Sequence, residues 1–226
     1  MSELSESTSP YRILIEEALA QQNVIGTGGF SQILSVLSRP GVVVKFTKKE
    51  TTSSDAAELA LEGARSEARI LAQLQSHPNV IGLYFADEVQ RSTMSGFCMV
   101  LEAQVLSLAT LISLHQFVIP PAAPGTSSPL SFSARLKIMA GVRNGLLHVH
   151  SCGFMHGDVT SANVMLNPPS VPLLPKLIDF GFTCRKDPAE RTENKSMSGQ
   201  SRMFSRAAGG GTPGYISDET TNQPAT

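Results

Sequence analysis

Long apolar stretches are missing from this chain of 226 residues; the longest uninterrupted runs, such as Val42-Val43-Val44 and Cys98 to Leu101, cover only a few positions. A membrane-spanning helix needs about 20 consecutive apolar residues, so none is expected. Net charge is nearly absent as well: 18 Lys and Arg against 19 Asp and Glu leave −1. That balance gives no electrostatic case for nucleic acid or an anionic membrane as the main partner. Charged residues are scarce overall, at 16%, where about 25% is usual. Cysteine is rare and odd in number, with Cys98, Cys152 and Cys184 far apart. This argues against a disulfide framework or a zinc cluster and fits a reducing, cytoplasmic compartment. Residues 1–10 are Ser-rich and acidic, with no basic-then-apolar order. They read as a disordered tail and not as a secretory signal. No internal repeat is present. The hydrophobic fraction of 41% suffices for a sizeable core, and the length suits one to one and a half domains.

Punctuation by Gly and Pro divides the rest. A helical pattern over Tyr11 to Gln22 leads into a strand at Val24. The turn Gly26-Thr27-Gly28-Gly29 precedes a second strand near Ile33 to Leu37. After the Arg39-Pro40-Gly41 turn, Val42 to Phe46 is a β-branched strand. Ser53 or Ser54 can cap a helix reaching about Gln75, with Leu59, Glu67, Ile70, Leu71 and Leu74 at helical spacings. Strands are expected near Leu83 to Gln90 and Gly96 to Glu102. This order predicts a small sheet with a helix packed on it. From Leu106 the pattern turns helical: Val105 to Phe117, an exposed loop with prolines at 120, 121, 124 and 129, then Ser133 to Ser151. Leu136, Ala140, Val142, Leu146, Leu147 and Val149 are expected to supply that last helix's apolar faces. Two short strands follow, Val164 to Leu166 and Lys176 to Ile178, and 183–211 is polar and weakly patterned.

Six short stretches carry chemistry. The glycine turn can bring backbone N–H groups close to phosphates. Strand, not helix, follows it, so it is neither a Rossmann nor a Walker loop, and by itself it serves equally as a hairpin turn. Lys45 lies among valines and alone reads as the exposed side of an edge strand. Glu67 alone reads as a solvated helix residue. In His156-Gly157-Asp158-Val159-Thr160-Ser161-Ala162-Asn163, an Asp can take a proton from an attacking hydroxyl, and the Asn five residues later can ligate a metal. Asp179, in Ile178-Asp179-Phe180-Gly181, can hold Mg²⁺ against phosphates. The sixth stretch is Gly211-Thr212-Pro213-Gly214-Tyr215-Ile216-Ser217-Asp218-Glu219.

In this order the six resemble the motifs of the eukaryotic protein kinases, and the likeness runs from Ile25 to Glu219. Glu67 to Tyr84 also resembles that family's segment from its large helix to the next strand. The resemblance implies an α+β, protein-kinase-like fold of two lobes. Residues 1–18 would be tail and lead-in, 19–103 a β-rich N-lobe with one helix, and 104–226 an incomplete helical C-lobe. It implies ATP and Mg²⁺ as cofactors, and a protein substrate of unknown identity. Ile25, Gly26, Thr27, Gly28 and Gly29 would cover the phosphates, with Ser31 where many members have a third glycine. Lys45 would contact the α- and β-phosphates and pair with Glu67. Ile33 and Val43 would roof the adenine and Met165 floor it. The Glu102 carbonyl and Gln104 amide would bond it, with Leu101 as gatekeeper. Asp158 would be the catalytic base, and Asn163 and Asp179 the metal ligands. Leu71, Leu83, His156 and Phe180 would stack as a spine.

Departures from the family pattern qualify the activity. Gly157 replaces an arginine that anchors a phosphorylated activation loop, so activity is not expected to depend on loop phosphorylation through that route. Thr160 stands where Ser/Thr kinases carry a lysine that meets the transferred phosphate; losing the charge removes an estimated few kcal/mol of transition-state stabilisation. Asp218 replaces a proline. Seven residues follow Glu219, where complete kinases continue with several helices, so a chain ending there is expected to show an exposed hydrophobic patch. Segment 185–210 holds six Lys or Arg against three acids and reads as a solvated activation segment. Cys184 reads as a small buried residue. A Ser/Thr-type kinase is the favoured reading. A pseudokinase or nucleotide-binding scaffold is the alternative, and a small-molecule kinase is third.

Overall fold

The computed structural model describes residues 9–28, 30–49, 55–74, 76–91, 94–118, 131–167 and 173–186. The chain divides into two compact units, residues 1–68 with 82–103, and 69–81 with 104–226.

The first unit is built on a five-stranded sheet in the order β1-β2-β3-β5-β4, antiparallel throughout. The strands are β1 (Val24–Thr27), β2 (Ser31–Ser35), β3 (Val42–Lys49), β4 (Leu83–Gln90) and β5 (Ser95–Glu102). β3 lies between β2 and β5, so Lys45 is on an inner strand and the edge-strand reading is corrected. Side chains alternate across a strand, and the register extends this across the sheet. Val42, Val44 and Phe46 share a face with Leu34, Cys98 and Val100. Lys45 shares the other face with its partners Ile33 and Met99.

The first face is covered by α1 (Pro10–Gln21). Proline suits a helix's first turn, and the helix closes on Gln22 in the left-handed region (φ 51°), whose N–H donates to the Ala18 carbonyl. Leu14, Ile15, Ala18 and Leu19 form its buried stripe and join the sheet's core cluster. Burying each of Leu14, Ile15 and Leu19 contributes about 1.5–3 kcal/mol. The segment expected as a lead-in is thus a second helix of the β-rich unit. α2 (Asp55–Leu74) buries Ala57, Leu61, Ala64 and Ala68 at alternating spacings of four and three. Its expected Ser53 or Ser54 cap lies outside the described residues.

The second unit is mainly helical. Leu106–Ser107 form β6, paired with β8 (Val164–Leu166), so α3 starts at Leu108 (Leu108–Val118) and not at Val105. α4 (Phe132–Ser151) is capped by Ser131, whose side chain accepts the Ala134 N–H. Its buried positions are Ile138, Gly141, Gly145 and Val149. This corrects the apolar face expected from Leu136, Ala140 and Leu147, which are exposed. The reason is a close approach. A Cβ at Gly141 would meet Pro175 Cγ at 2.3 Å, and one at Gly145 the Asn79 carbonyl oxygen at 2.7 Å. β9 (Pro175–Leu177) fills that space, and Asn79 clasps it: its Nδ2 donates to the Pro175 carbonyl (2.8 Å) and its carbonyl accepts the Leu177 N–H (2.9 Å). His148 Nε2–H donates to the carbonyl of Leu74 (2.5 Å), the last residue of α2, and its ring stacks on His77 at 4.4 Å. Among the described residues, Met139, Leu146 and Leu147 of α4 line an apolar groove of about 520 Å³.

Two further strands, β7 (Phe154–Met155) and β10 (Cys184–Arg185), pair with each other. Cys184 is half-buried in β10, not a buried filler as expected; Cys98 is the buried thiol. Among the described residues, no helix is long and apolar enough to cross a membrane. The proline loop, residues 187–226 with Gly211–Glu219, and Gly29 lie outside the described residues.

Candidate active site

Two groups of site residues are assembled, one in each unit. In the first, Lys45 Nζ donates to both carboxylate oxygens of Glu67, at 2.9 and 2.8 Å. The side chains are 16% and 6% exposed, so Glu67 is not the solvated helix residue that its position alone suggested. Strand alternation aims the lysine away from the α1 face, and the stripe of small residues on α2 brings Glu67 within reach of it. A carboxylate this buried must be paired.

The glycine turn joins β1 and β2, with a register irregularity between Val24 and Gly26. The Gly28 N–H donates to the Ser31 carbonyl (2.7 Å). Ile25, Thr27 and Gly28 are exposed, and Gly26 is half-buried. Ile33 and Val43 are half-buried on the Lys45 face, and Leu101, paired with Val43, is buried there. Glu102 exchanges backbone contact with Gly82, accepting through Oε2 the Gly82 N–H (3.3 Å) and donating its own N–H to the Gly82 carbonyl (2.9 Å).

In the second unit, His156 is 1% exposed and held from both ring nitrogens. Its Nδ1 accepts the Asp158 N–H (3.3 Å) and its Nε2–H donates to the Ile178 carbonyl (3.0 Å). This pattern requires the neutral ring. Burial lowers its pKa below the usual 6.5, partly opposed by the Ile178 bond and by the charges of Asp179 and Asp158. Asn163 Nδ2 donates to the carbonyl (2.9 Å) and Oδ2 (2.8 Å) of Asp158, orienting the Asp158 carboxylate. Its amide oxygen is left as a hard donor of the kind Mg²⁺ takes. The Ile178 N–H donates to the Asn163 carbonyl (3.0 Å), which sets Asp179 beside this loop. Asp179 itself has φ +59°, in the left-handed region, and its Oδ1 accepts the Gly181 N–H (3.4 Å).

Of the expected spine, His156 and the fully buried Phe180 are in contact at 4.7 Å between ring centroids, and Leu71 is buried. Thr160 is 5% exposed and its Oγ1 accepts the Asn163 N–H (3.3 Å). The residue at the position of the family's lysine therefore braces the backbone of Asn163. Met165 is half-buried in β8, and the side-chain oxygen of Gln104 is buried with no hydrogen-bond partner among the described residues. Sequence reasoning missed the Asn79 clasp and the Gly141/Gly145 contact. A Gly-x₃-Gly spacing on one helix face was the available signal.

The donor set suits magnesium. Among the described residues no three His, Cys, Asp or Glu side chains cluster to cage a metal. Magnesium does not need such a cage, since it is commonly held by one or two carboxylates plus substrate phosphates. Asp179 and Asn163 are the residues that would hold it.

A sequence model of the family described as "Protein kinase domain" matches residues 19–225. The chain belongs to this family, and its α+β architecture is protein-kinase-like. It is 29% identical over 173 residues to "Cysteine-rich receptor-like protein kinase 34" of Arabidopsis thaliana, covering 74% of this chain and 22% of that protein. Against "Wall-associated receptor kinase-like 20" of the same plant it is 26% identical over 204 residues, covering 88% and 27%. Against "Probable serine/threonine-protein kinase PknB" of Bifidobacterium longum (strain NCC 2705) it is 27% identical over 176 residues, covering 76% and 24%. The chain thus spans about a quarter of the length of these relatives.

Proposed function

We propose that this chain carries the phosphotransfer core of an ATP- and Mg²⁺-dependent protein serine/threonine kinase acting on a protein hydroxyl. The observation that carries the reading is the Asp158–Asn163–Asp179 arrangement: an oriented base, a hard amide oxygen and a second carboxylate on segments tied to each other. Asp158 accepts the proton of the attacking hydroxyl as its oxygen bonds the γ-phosphorus, while the bond from that phosphorus to the β–γ bridging oxygen breaks and ADP leaves. Lys45, kept in place by Glu67, bonds phosphate oxygens of the nucleotide. The glycine turn covers those phosphates with backbone N–H groups, and Ile33, Val43 and Met165 enclose the adenine. Glu102 and Gln104 bond its edge through their backbones. Asn163 and Asp179 would hold magnesium, which would supply charge neutralisation for the phosphates. Catalysis on this arrangement is positioning and charge stabilisation. The three unbridged thiols support a reducing, cytoplasmic compartment.

The test is phosphate transfer from ATP to a mixed Ser/Thr peptide library. Asp158→Asn is expected to lower the rate at least about 10²-fold, the usual contribution of a general base. Equal rates would overturn the assignment. One observation favours a nucleotide-binding scaffold as the second reading: Thr160 places no cation at the transferred phosphate and turns its hydroxyl to Asn163. Nucleotide binding without any transfer by the parent chain would establish that reading.

A further inference from the structure

Gly153 and Gly157 share one backbone angle, φ +82°, which residues bearing a side chain rarely adopt. Their surroundings differ. A Cβ on Gly153 would meet nothing within 4 Å, whereas one on Gly157 would lie 2.4 Å from the Phe182 carbonyl oxygen and 3.1 Å from its carbonyl carbon. No side-chain rotation can relieve a contact with backbone. Two hydrogen bonds flank this contact. Thr183 Oγ1 donates to the His156 carbonyl (3.2 Å), and His156 Nε2–H donates to the Ile178 carbonyl (3.0 Å). Between them lies Asp179 at φ +59°. A non-glycine residue is uncommon in that region, and contacts with its surroundings help to hold it there.

We infer that Gly157 is a positioning residue. By admitting the Phe182 backbone, it clamps residues 178–183 onto the catalytic loop and holds Asp179 in the left-handed conformation that presents its carboxylate. The chemical consequence, metal binding, rests on the phosphotransfer reading; the clamp itself does not.

The experiment compares Gly157→Ala with Gly153→Ala, which introduces the same backbone strain without the contact, and with Thr183→Val, which removes one flanking bond. The first readout is amide exchange at Thr183, whose N–H donates to the Phe180 carbonyl (3.0 Å). The second is the Mg²⁺ concentration that half-saturates ATP binding and turnover. Gly157→Ala is expected to raise both about tenfold or more, with the turnover rate at saturating Mg²⁺ within about threefold of the parent. Thr183→Val should move both in the same direction by a smaller factor, and Gly153→Ala neither. If Gly157→Ala matches Gly153→Ala in both, the clamp does not exist. If Gly157→Ala fails to fold, Thr183→Val decides by the same readouts. A parent chain that binds no nucleotide refutes the phosphotransfer reading, and exchange at Thr183 then judges the clamp separately.

Discussion

Replacing Lys45 with methionine removes the cation and keeps most of the side-chain volume. The structure sets the expected size of the effect. The pair is mostly buried, at 16% and 6% side-chain exposure, and makes two hydrogen bonds of 2.8–2.9 Å. A surface pair would contribute about 0–1 kcal/mol. Breaking a fully buried pair costs about 3–5 kcal/mol, because the remaining charge is left uncompensated. The partial exposure of Lys45 places Lys45→Met between these limits, at about 2–4 kcal/mol. Glu67→Leu should cost less, since the lysine left behind can reach water. The double variant should recover much of the loss, as no buried charge remains. Urea denaturation of the four proteins, read as a double-mutant cycle, gives the coupling directly. A Lys45→Met cost below about 0.5 kcal/mol with no coupling would show a solvated pair and refute the reasoning.

Asn79→Ala should destabilise by about 1–3 kcal/mol, because it leaves the buried Pro175 carbonyl without its donor; an unchanged denaturation midpoint would contradict this. Gly145→Ala, despite its better helix propensity, should also destabilise, since the new methyl meets the Asn79 carbonyl at 2.7 Å. A gain in melting temperature would count against it. Burial pushes the Cys98 thiol up to about 12, so a thiol reagent at neutral pH should label Cys152 and Cys184 in the native protein and spare Cys98. His156 and His77 both have lowered pKa values, mainly through burial. Above the ordinary value of 6.5 both states are neutral and this stability is fully present. As pH falls below 6.5 the unfolded chain takes up protons that the native rings refuse, so stability declines until the pH passes the native values. NMR titration of the His156 ring should give a midpoint below 6.5, and a midpoint above it would contradict the neutral, doubly bonded ring.

The strands of the β-rich unit were legible because short apolar runs rich in β-branched and aromatic residues, bounded by turn residues, are a local signal. β4 and β8 match expectation at both ends, and β5 begins one residue earlier than expected. α4 was legible as a helix, but not in its orientation. It carries apolar residues on more than one face, and the face that packs is marked by Gly141 and Gly145, which a count of hydrophobic residues ignores. The two-residue strands β6, β7 and β10 exist only through their partners and leave no trace in local pattern. At the site, residue types and spacing nominated Asp158, Asn163 and Asp179, whereas Lys45 and Glu67 were nominated only by the family resemblance. The burial of Glu67 and the inward turn of Thr160 depend on contacts between distant segments. The left-handed backbone of Asp179 is a conformation that Asp tolerates better than most residues, and nothing in the local pattern marked it.

The proposed function requires that substitutions at Lys45 and at Asp179, on separate stretches of chain, both alter the binding of one nucleotide. Calorimetric titration of the chain with ATP, with and without Mg²⁺, tests it most directly, repeated on Lys45→Met and Asp179→Asn. Binding of one ATP should strengthen with Mg²⁺. Lys45→Met should weaken it under both conditions, and Asp179→Asn should abolish the magnesium dependence. Undiminished, magnesium-dependent binding by both variants would contradict the account.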